Sequence, residues 1–443
     1  MFNFVLAVRV GQRLSPADVE RGLDGVRGRH VAFSSPPGSA TAPPDAPPDA
    51  PPDAPRFPLR VLDGSGAPGW QAVAEEELAR PFGPEEAPRA RFTMLPSDER
   101  TDLVLTCDHM VSDGMSGGYL LRDLLAVLAA PGTVLPPLPR PPGIPEVLPA
   151  GFRESPASRL RVAAVRAGIR WSSWYEAHRR GAAPEPGGGA GAGAGAGADG
   201  RTGAGGGGNA DATSRGFRIV SRGLSGEHTA ALVGRCRREG TTVHGAVCAA
   251  LLLALVEGST GRQRRAVSSP VNLRHLLTGP DAEAAEAAGL LITPVVTSVR
   301  LAADSDPWDL AREIRHRLSR DTTGERLLRR VLRMSTIFGE AHRAAAAGEP
   351  GDGPPPLRPA DYDLSVTNLG RFPLQPPGAP FLVEAMYGPM VNVVPGERTI
   401  GVCTCAGRLQ LVYTAFDEPG EPERGAALLT SAARTLLDAL DRP

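Results

Sequence analysis

Apolar and polar residues alternate through "MFNFVLAVRVGQRL" (1–14), which predicts a strand at the start of the chain. The period then changes. In "PADVERGLDGVRGRH" the apolar positions recur at helical spacing behind a Ser-Pro start, and "RFTML" and "DLVLTC" return to strand character around the turn "PSDER". "GGYLLRDLLAVLAA" predicts an apolar-rich helix. Further on, "SGEHTAALVGRCRREG" has ordinary amphipathic spacing. "TTVHGAVCAALLLALVE" is apolar on nearly every side, so it is expected at the centre of a core, capped by Thr241 or Thr242. Strands are predicted at "RAVSSPVNL", "LLITPVVTSVRL", "YDLSVTNLG" and "FLVEAMYG", with a helix from Asp306-Pro307 between the second and third of them. "TIGVCTC" and "RLQLVYTA" predict a hairpin around Ala-Gly, and a final helix is expected over about 422–441. Helices and strands are mixed in both halves, so the fold class is α/β or α+β.

Two low-complexity tracts interrupt this pattern. Residues 42–53 repeat Ala-Pro-Pro-Asp and predict an extended insertion outside the sheets. Residues 187–208 are nearly all Gly and Ala, the composition of a flexible tether. The expected organisation is an N-terminal lobe over 1–180, a linker over 181–215 and a C-terminal lobe over 216–443.

Composition narrows the function classes. The chain has 443 residues and a formal net charge of -1, without the basic excess expected of a protein that binds nucleic acid or an anionic membrane. All 48 basic residues are arginine, which excludes lysine Schiff-base chemistry. The five cysteines are scattered without C-x-x-C spacing, so neither a disulfide framework nor a zinc site is indicated, and a reduced, cytoplasmic setting is expected. Neither a signal peptide nor a membrane span is expected. The partners expected are small molecules or proteins.

Residues 107–118, "CDHMVSDGMSGG", hold two overlapping catalytic signatures. From Gly114 the stretch reads Gly-Met-Ser-Gly-Gly, a formal match to the nucleophile elbow of serine hydrolases with Ser116 as nucleophile. That reading requires a strand directly before Gly114 and a triad histidine late in the chain. Here polar Ser112 and Asp113 precede the glycine, and the last histidine is His342, within an Ala-rich helical stretch. From His109 the same residues place an imidazole at a strand end, where a general base would be held rigidly, with Asp113-Gly114 as a tight turn. The structural alternative is a packed histidine with Asp113 as a helix cap.

"DHMVSDG" resembles the HHxxxDG motif of the acyltransferases built on the chloramphenicol acetyltransferase fold, which include condensation domains and polyketide-associated acyltransferases. "TTVHGAVCAALLLAL", "PVNLR" and "LSVTNLGRF" resemble three further segments of that superfamily in order and spacing, and "TNLGR" is most similar to the polyketide-associated group. The resemblance implies two similar lobes, each a mixed sheet with flanking helices, enclosing an active-site tunnel. It implies transfer of an acyl group from acyl-CoA or an acyl carrier protein to a hydroxyl or amine, with no bound cofactor or metal; the alternatives are a free-standing condensation enzyme that joins carrier-bound substrates and a non-catalytic carrier-docking protein. His109 matches the catalytic histidine. Asp113 matches a structural aspartate that pairs with the arginine matched by Arg274, and Gly114 matches the motif glycine. Asp108 departs from the pattern, standing where the first histidine is usual. Asn368 is a candidate for an oxyanion or tunnel contact, against a plain strand-end role. "GRQRR" (261–265) is a candidate for CoA phosphates or an acidic carrier, against a solvated turn. A monomer is expected. The chain begins at the first core strand, which would leave a shortened donor or acceptor pocket.

Overall fold

The computed structural model describes residues 3–33, 55–64, 66, 68–83, 85–181, 216–346, 362–391 and 396–441. The Pro-rich tract at 42–53 and the Gly/Ala tract at 187–208 lie outside them.

In chain order the first half contains β1 (Asn3–Val10), α1 (Pro16–Arg27), β2 (Leu59–Val61), α2 (Trp70–Leu78), β3 (Ala90–Pro96) and β4 (Thr101–Asp108). It continues with α3 (Gly114–Ala129), α4 (Ala150–Arg153) and α5 (Pro156–Gly181). The second half begins with β5 (Phe217–Gly223), α6 (Gly226–Arg238), α7 (Val243–Leu255), β6 (Gln263–Asn272) and β7 (Ile292–Leu301). After α8 (Pro307–Asp321) and α9 (Gly324–Ala346) come β8 (Leu364–Arg371), β9 (Val383–Val391), β10 (Thr399–Cys405), β11 (Arg408–Phe416) and α10 (Glu421–Leu440).

These strands form two mixed sheets with helices around them. One has the order β2-β3-β4-β1-β9, the other β5-β11-β10-β8-β6-β7. The hairpin predicted around "PSDER" is the antiparallel pair β3–β4, and the one around Ala-Gly is β10–β11, where Ala406 (φ 48°) and Gly407 (φ 74°) make the turn. β9 comes from the second half of the chain but pairs antiparallel with β1 in the first sheet. Its return brings it against β10: a Cβ built on Gly401 would lie 2.3 Å from the Pro389 carbonyl oxygen. Only glycine allows that approach of the two backbones.

The all-apolar helix is the centre of the second lobe. Thr242 caps α7 by accepting from the Gly245 N–H, and the helix is buried from Gly245 to Leu253 against α8, α10 and the second sheet. In the first lobe β1 and β4 are buried throughout or nearly so, packing under α1 and α3 with Leu23, Leu120, Leu121 and Leu124. Phe372, Cys403 and Cys405 join that same core from the second half of the chain. The elements that the periodicity did not reveal are β2, α2, α4, α5, β5 and the start of α9; most of them are short or rich in arginine.

Candidate active site

β4 ends at Asp108, and α3 begins at Gly114, so the motif fills the corner between them. The Asp113 side chain accepts from the Ser116 N–H at 3.0 Å and the Ser116 hydroxyl reaches the Asp113 N–H at 3.4 Å, a capping box that fixes the first turn of α3. Gly114 has no room for a side chain, because a Cβ there would stand 2.6 Å from Cγ of Pro389 and 3.1 Å from Cδ2 of Leu369. The motif glycine therefore marks where β8 and β9 close on the corner.

His109 follows the last residue of β4. Its Nδ1 lies 2.8 Å from the Ser112 carbonyl oxygen. A carbonyl only accepts, so Nδ1 carries a proton, and in the neutral ring the lone pair is therefore on Nε2. The Phe4 ring meets the imidazole edge-on at 5.3 Å between centroids and packs it in place. The ring lines a cavity of about 650 Å³ between the two sheets, with Phe4, Asn272, Asn368, Pro389 and Val391 also on its wall.

Asp113 and Arg274 meet across the lobes. Arg274 Nη1 donates to Asp113 Oδ2 at 2.8 Å, and the Leu291 N–H donates to the same oxygen at 3.0 Å. Asp113 is fully buried and Arg274 nearly so. Arg274 Nη2 also donates to the Ser116 hydroxyl oxygen at 2.9 Å, and the Gly289 N–H does so at 3.1 Å. The Ser116 proton is left with the Asp113 carboxylate at 2.9 Å or the Gly289 carbonyl at 3.1 Å. Ser116 is 0% exposed and its hydroxyl is saturated with partners, so it has neither a free lone pair nor an access path for nucleophilic attack. The serine hydrolase alternative at this residue is corrected by that geometry. The five-residue pattern arises because a small hydroxyl residue is needed in the capping box, after a glycine that packs against Pro389 and Leu369 and before glycines that pack against Phe4, Leu6 and Phe372.

Asp108 is fully buried, as is the Arg89 that donates to it at 3.1 Å. Its other carboxylate oxygen accepts from the Met110 N–H at 2.9 Å, which anchors the chain beside His109. Burial raises the Asp108 carboxyl above its ordinary value, against the pull of the Met110 N–H and Arg89. The departure from a histidine at this position is thus matched by a buried arginine that only the fold reveals.

Asn368 lies on β8, and its side-chain oxygen accepts from the Gly370 N–H at 2.7 Å, so the side-chain NH2 is the group left toward the cavity. The "GRQRR" arginines sit at the opposite end of β6 from the cavity-lining Ser269–Asn272. Arg262 donates to the Arg300 carbonyl at 3.1 Å, Arg264 to the Ser298 hydroxyl at 3.3 Å and Arg265 to Asp363 at 3.3 Å. The structure does not bring them to His109. It does bring two residues that the sequence reading passed over: His244 of α7 and Ser269 of β6, on the same cavity wall and 2.8 Å apart. The signal for His244 was a lone imidazole at the start of an otherwise apolar helix. The five described cysteines are free and buried, and among the described residues no group of His, Cys, Asp and Glu is arranged to hold a metal. No described helix is long and apolar enough to cross a membrane.

Two sheets with helices around them, a cavity between, and a histidine from the β4–α3 corner on its wall define a known architecture. The fold is that of the chloramphenicol acetyltransferase-like and condensation superfamily. Residues 213–413 match the family described as the C-terminus of phthiocerol/phthiodiolone dimycocerosyl transferase. Polyketide synthase associated protein 5 from Mycobacterium tuberculosis is similar across 99% of this chain and 94% of its own, with a TM-score of 0.59 and 15% identity. The first condensation domain of the CDA synthetase is similar across 100% of this chain and 91% of its own, with a TM-score of 0.60 and 17% identity. The TRI3 trichothecene 15-O-acetyltransferase from Fusarium sporotrichioides is similar across 99% and 91%, with a TM-score of 0.62 and 13% identity. A comparison with curated protein sequences gives no match. At these identities the superfamily likeness is one of fold, and the chemistry rests on the residues of the cavity.

Proposed function

We propose that this chain is an acyltransferase that moves an acyl group from a thioester, carried by CoA or by an acyl carrier protein, to a hydroxyl or amine acceptor. One observation carries the reading: the Ser112 carbonyl holds a proton of His109 on Nδ1, which in the neutral ring leaves Nε2 as the base, and the ring lines a cavity of about 650 Å³.

Nε2 takes the proton of the acceptor as its oxygen or nitrogen attacks the thioester carbon. The same proton then passes to the departing thiolate, so the imidazole is neutral at the start and at the end. No covalent enzyme intermediate is needed. The negative charge that develops on the carbonyl oxygen calls for fixed donors, each worth about 3 kcal/mol where charge appears. The Asn368 side-chain NH2 is the candidate, free because its oxygen is held by Gly370. Asp113, Gly114 and Arg274 act on the frame and not on the substrate: the ion pair pins the corner that carries His109 to the second lobe.

The lobes proposed are residues 1–180 and 216–443, with 181–215 joining them and β9 returned to the first sheet. The match to a family named for a mycocerosyl transferase and the likeness to an O-acetyltransferase favour an ester product. Five buried free thiols suit a reduced, cytoplasmic setting, and a monomer is the proposed state.

Intact-mass analysis of acceptors incubated with the chain and a panel of acyl thioesters, on CoA and on carrier protein, tests the proposal. Acyl adducts that vanish with His109→Ala support it. Binding of carriers without any product would reduce the chain to a docking protein.

A further inference from the structure

His244 is the second residue of α7, and its Nε2 is 2.8 Å from the Ser269 hydroxyl and 3.5 Å from the Cys248 thiol. Ser269 is 2% exposed, and its hydroxyl meets both His244 Nε2 and the Cys248 thiol. A thiol sulfur is a weak acceptor and an imidazole nitrogen a strong one, so the buried Ser269 O–H donates to Nε2 and not to Cys248. The Cys248 S–H points to the same tautomer. In a neutral ring the proton is then on Nδ1.

His244 is only part-buried and lines the same cavity as His109, and Nδ1 is the ring nitrogen left for what enters there. The ring stays neutral because burial pushes its pKa down to about 4. The first turn of α7 reinforces this, since the N-terminal end of a helix disfavours a cation. The two imidazoles on the cavity wall therefore have opposite hands: His109 offers a lone pair, His244 an N–H.

We propose that His244 is a substrate-binding residue whose Nδ1–H donates to a carbonyl oxygen of the acyl donor, with Ser269 as the positioning residue that fixes its tautomer. This rests on the acyltransferase reading above, because the donor is the substrate that must carry a carbonyl, whereas the acceptor must give up a proton. A neutral imidazole N–H serves that end without the cost of burying a charge, and it rejects groups that can only donate. The carbonyl is either the thioester's own or an amide in the arm that carries it, and simple thioesters separate the two.

Nitrogen-15 spectra of the labelled protein at neutral pH report the tautomer directly, without any turnover. The expected result is Nδ1–H on His244, converting to a mixture of tautomers in Ser269→Ala. Nε2–H in the intact protein would overturn the proposal while leaving the role of His109 untouched. In transfer assays His244→Leu is expected to lose about 3- to 10-fold in kcat/KM, the range of one neutral hydrogen bond, and His244→Gln, which keeps an N–H, to recover part of it. A loss shared by ethyl thioesters and seen in kcat assigns the bond to the reacting carbonyl. A loss in KM confined to acyl-N-acetylcysteamine and acyl-CoA assigns it to the arm amide. Unchanged kinetics in His244→Leu, or a change confined to the KM of the acceptor, would refute a donor carbonyl contact.

Discussion

Arg274, just beyond β6, puts its guanidinium 2.8 Å from the Asp113 carboxylate, so a charge from the second lobe completes the helix cap that begins α3 in the first. Both partners are buried, so removal of either strands the other. Such a loss typically costs about 3 to 5 kcal/mol. Asp113→Ala and Arg274→Ala are each expected to lower the melting temperature and the transfer rate together. In a double-mutant cycle measured by urea unfolding, the double variant should be little worse than either single one. Strictly additive losses would mean that the two residues act independently.

His109 and Ser116 are expected to separate cleanly. His109→Ala should lose about 100-fold or more in transfer while melting near the parent, because the imidazole stands at the cavity and its hydrogen bond stays within its own corner. Ser116→Ala should instead melt lower, by about 1 to 3 kcal/mol in stability, since Arg274 and Gly289 lose an acceptor. A fluorophosphonate probe should leave Ser116 unlabelled, and stoichiometric labelling would revive the hydrolase reading.

At Gly114 the limit is space. The Cβ of an alanine would lie 2.6 Å from Pro389 Cγ, in a ring that cannot swing aside. Gly114→Ala is expected to cost about 1 to 3 kcal/mol and to lower kcat, since β9 or the start of α3 must shift beside His109. Melting curves and single-turnover rates check it, and parent behaviour in both would show the corner to be looser than described.

Arg89 is expected to tie the identity of residue 108 to itself. Asp108→His would set two basic side chains against each other in a buried site, although histidine is the residue usual in the motif. Asp108→His should unfold at lower urea than the parent, and Arg89→Met in that background should restore part of the loss. No rescue would indicate that the pair is not coupled.

Acid should weaken the fold through one cluster between α3 and the residues that follow α1. Burial raises the Asp123 carboxyl, but the His30, Arg122 and Arg29 side chains outweigh it and hold the group at about 2, below its ordinary 3.8. Its contribution is therefore complete above the ordinary value and lost as pH falls from 3.8 toward 2. His30 is lowered from 6.5 by burial, so the unfolded chain takes up that proton first and stability also falls as pH drops below 6.5. The melting temperature should decline on acidification from neutral pH. A His30→Gln variant, though less stable, should have a flatter profile as pH falls below 6.5. An unchanged slope in that variant would place the acid sensitivity elsewhere.

Much of the fold is legible along the chain because its signals are local. β1, β4, α3, α7 and both hairpins announce themselves by period, cap and turn residues, and the motif "DHMVSDG" marks the corner between β4 and α3. What stayed hidden depends on partners distant in sequence. Arg89 beside Asp108, the Leu291 and Gly289 N–H groups on Asp113 and Ser116, and the pairing of His244 with Ser269 have no signature within any short window. Nor does a run such as "FLVEAMYG" state which sheet it enters, since an apolar strand fits either.

The place that β9 takes has a consequence for any attempt to cut the chain in two. A fragment ending after α5 would lack the strand that satisfies one side of β1, from Phe4 to Val10, and would expose a long apolar edge able to recruit other chains. The complementary fragment would carry β9 with its ladder groups unpaired. The halves resemble independent lobes on paper, yet each is the other's chaperone: the first sheet closes only when the last third of the polypeptide has been made.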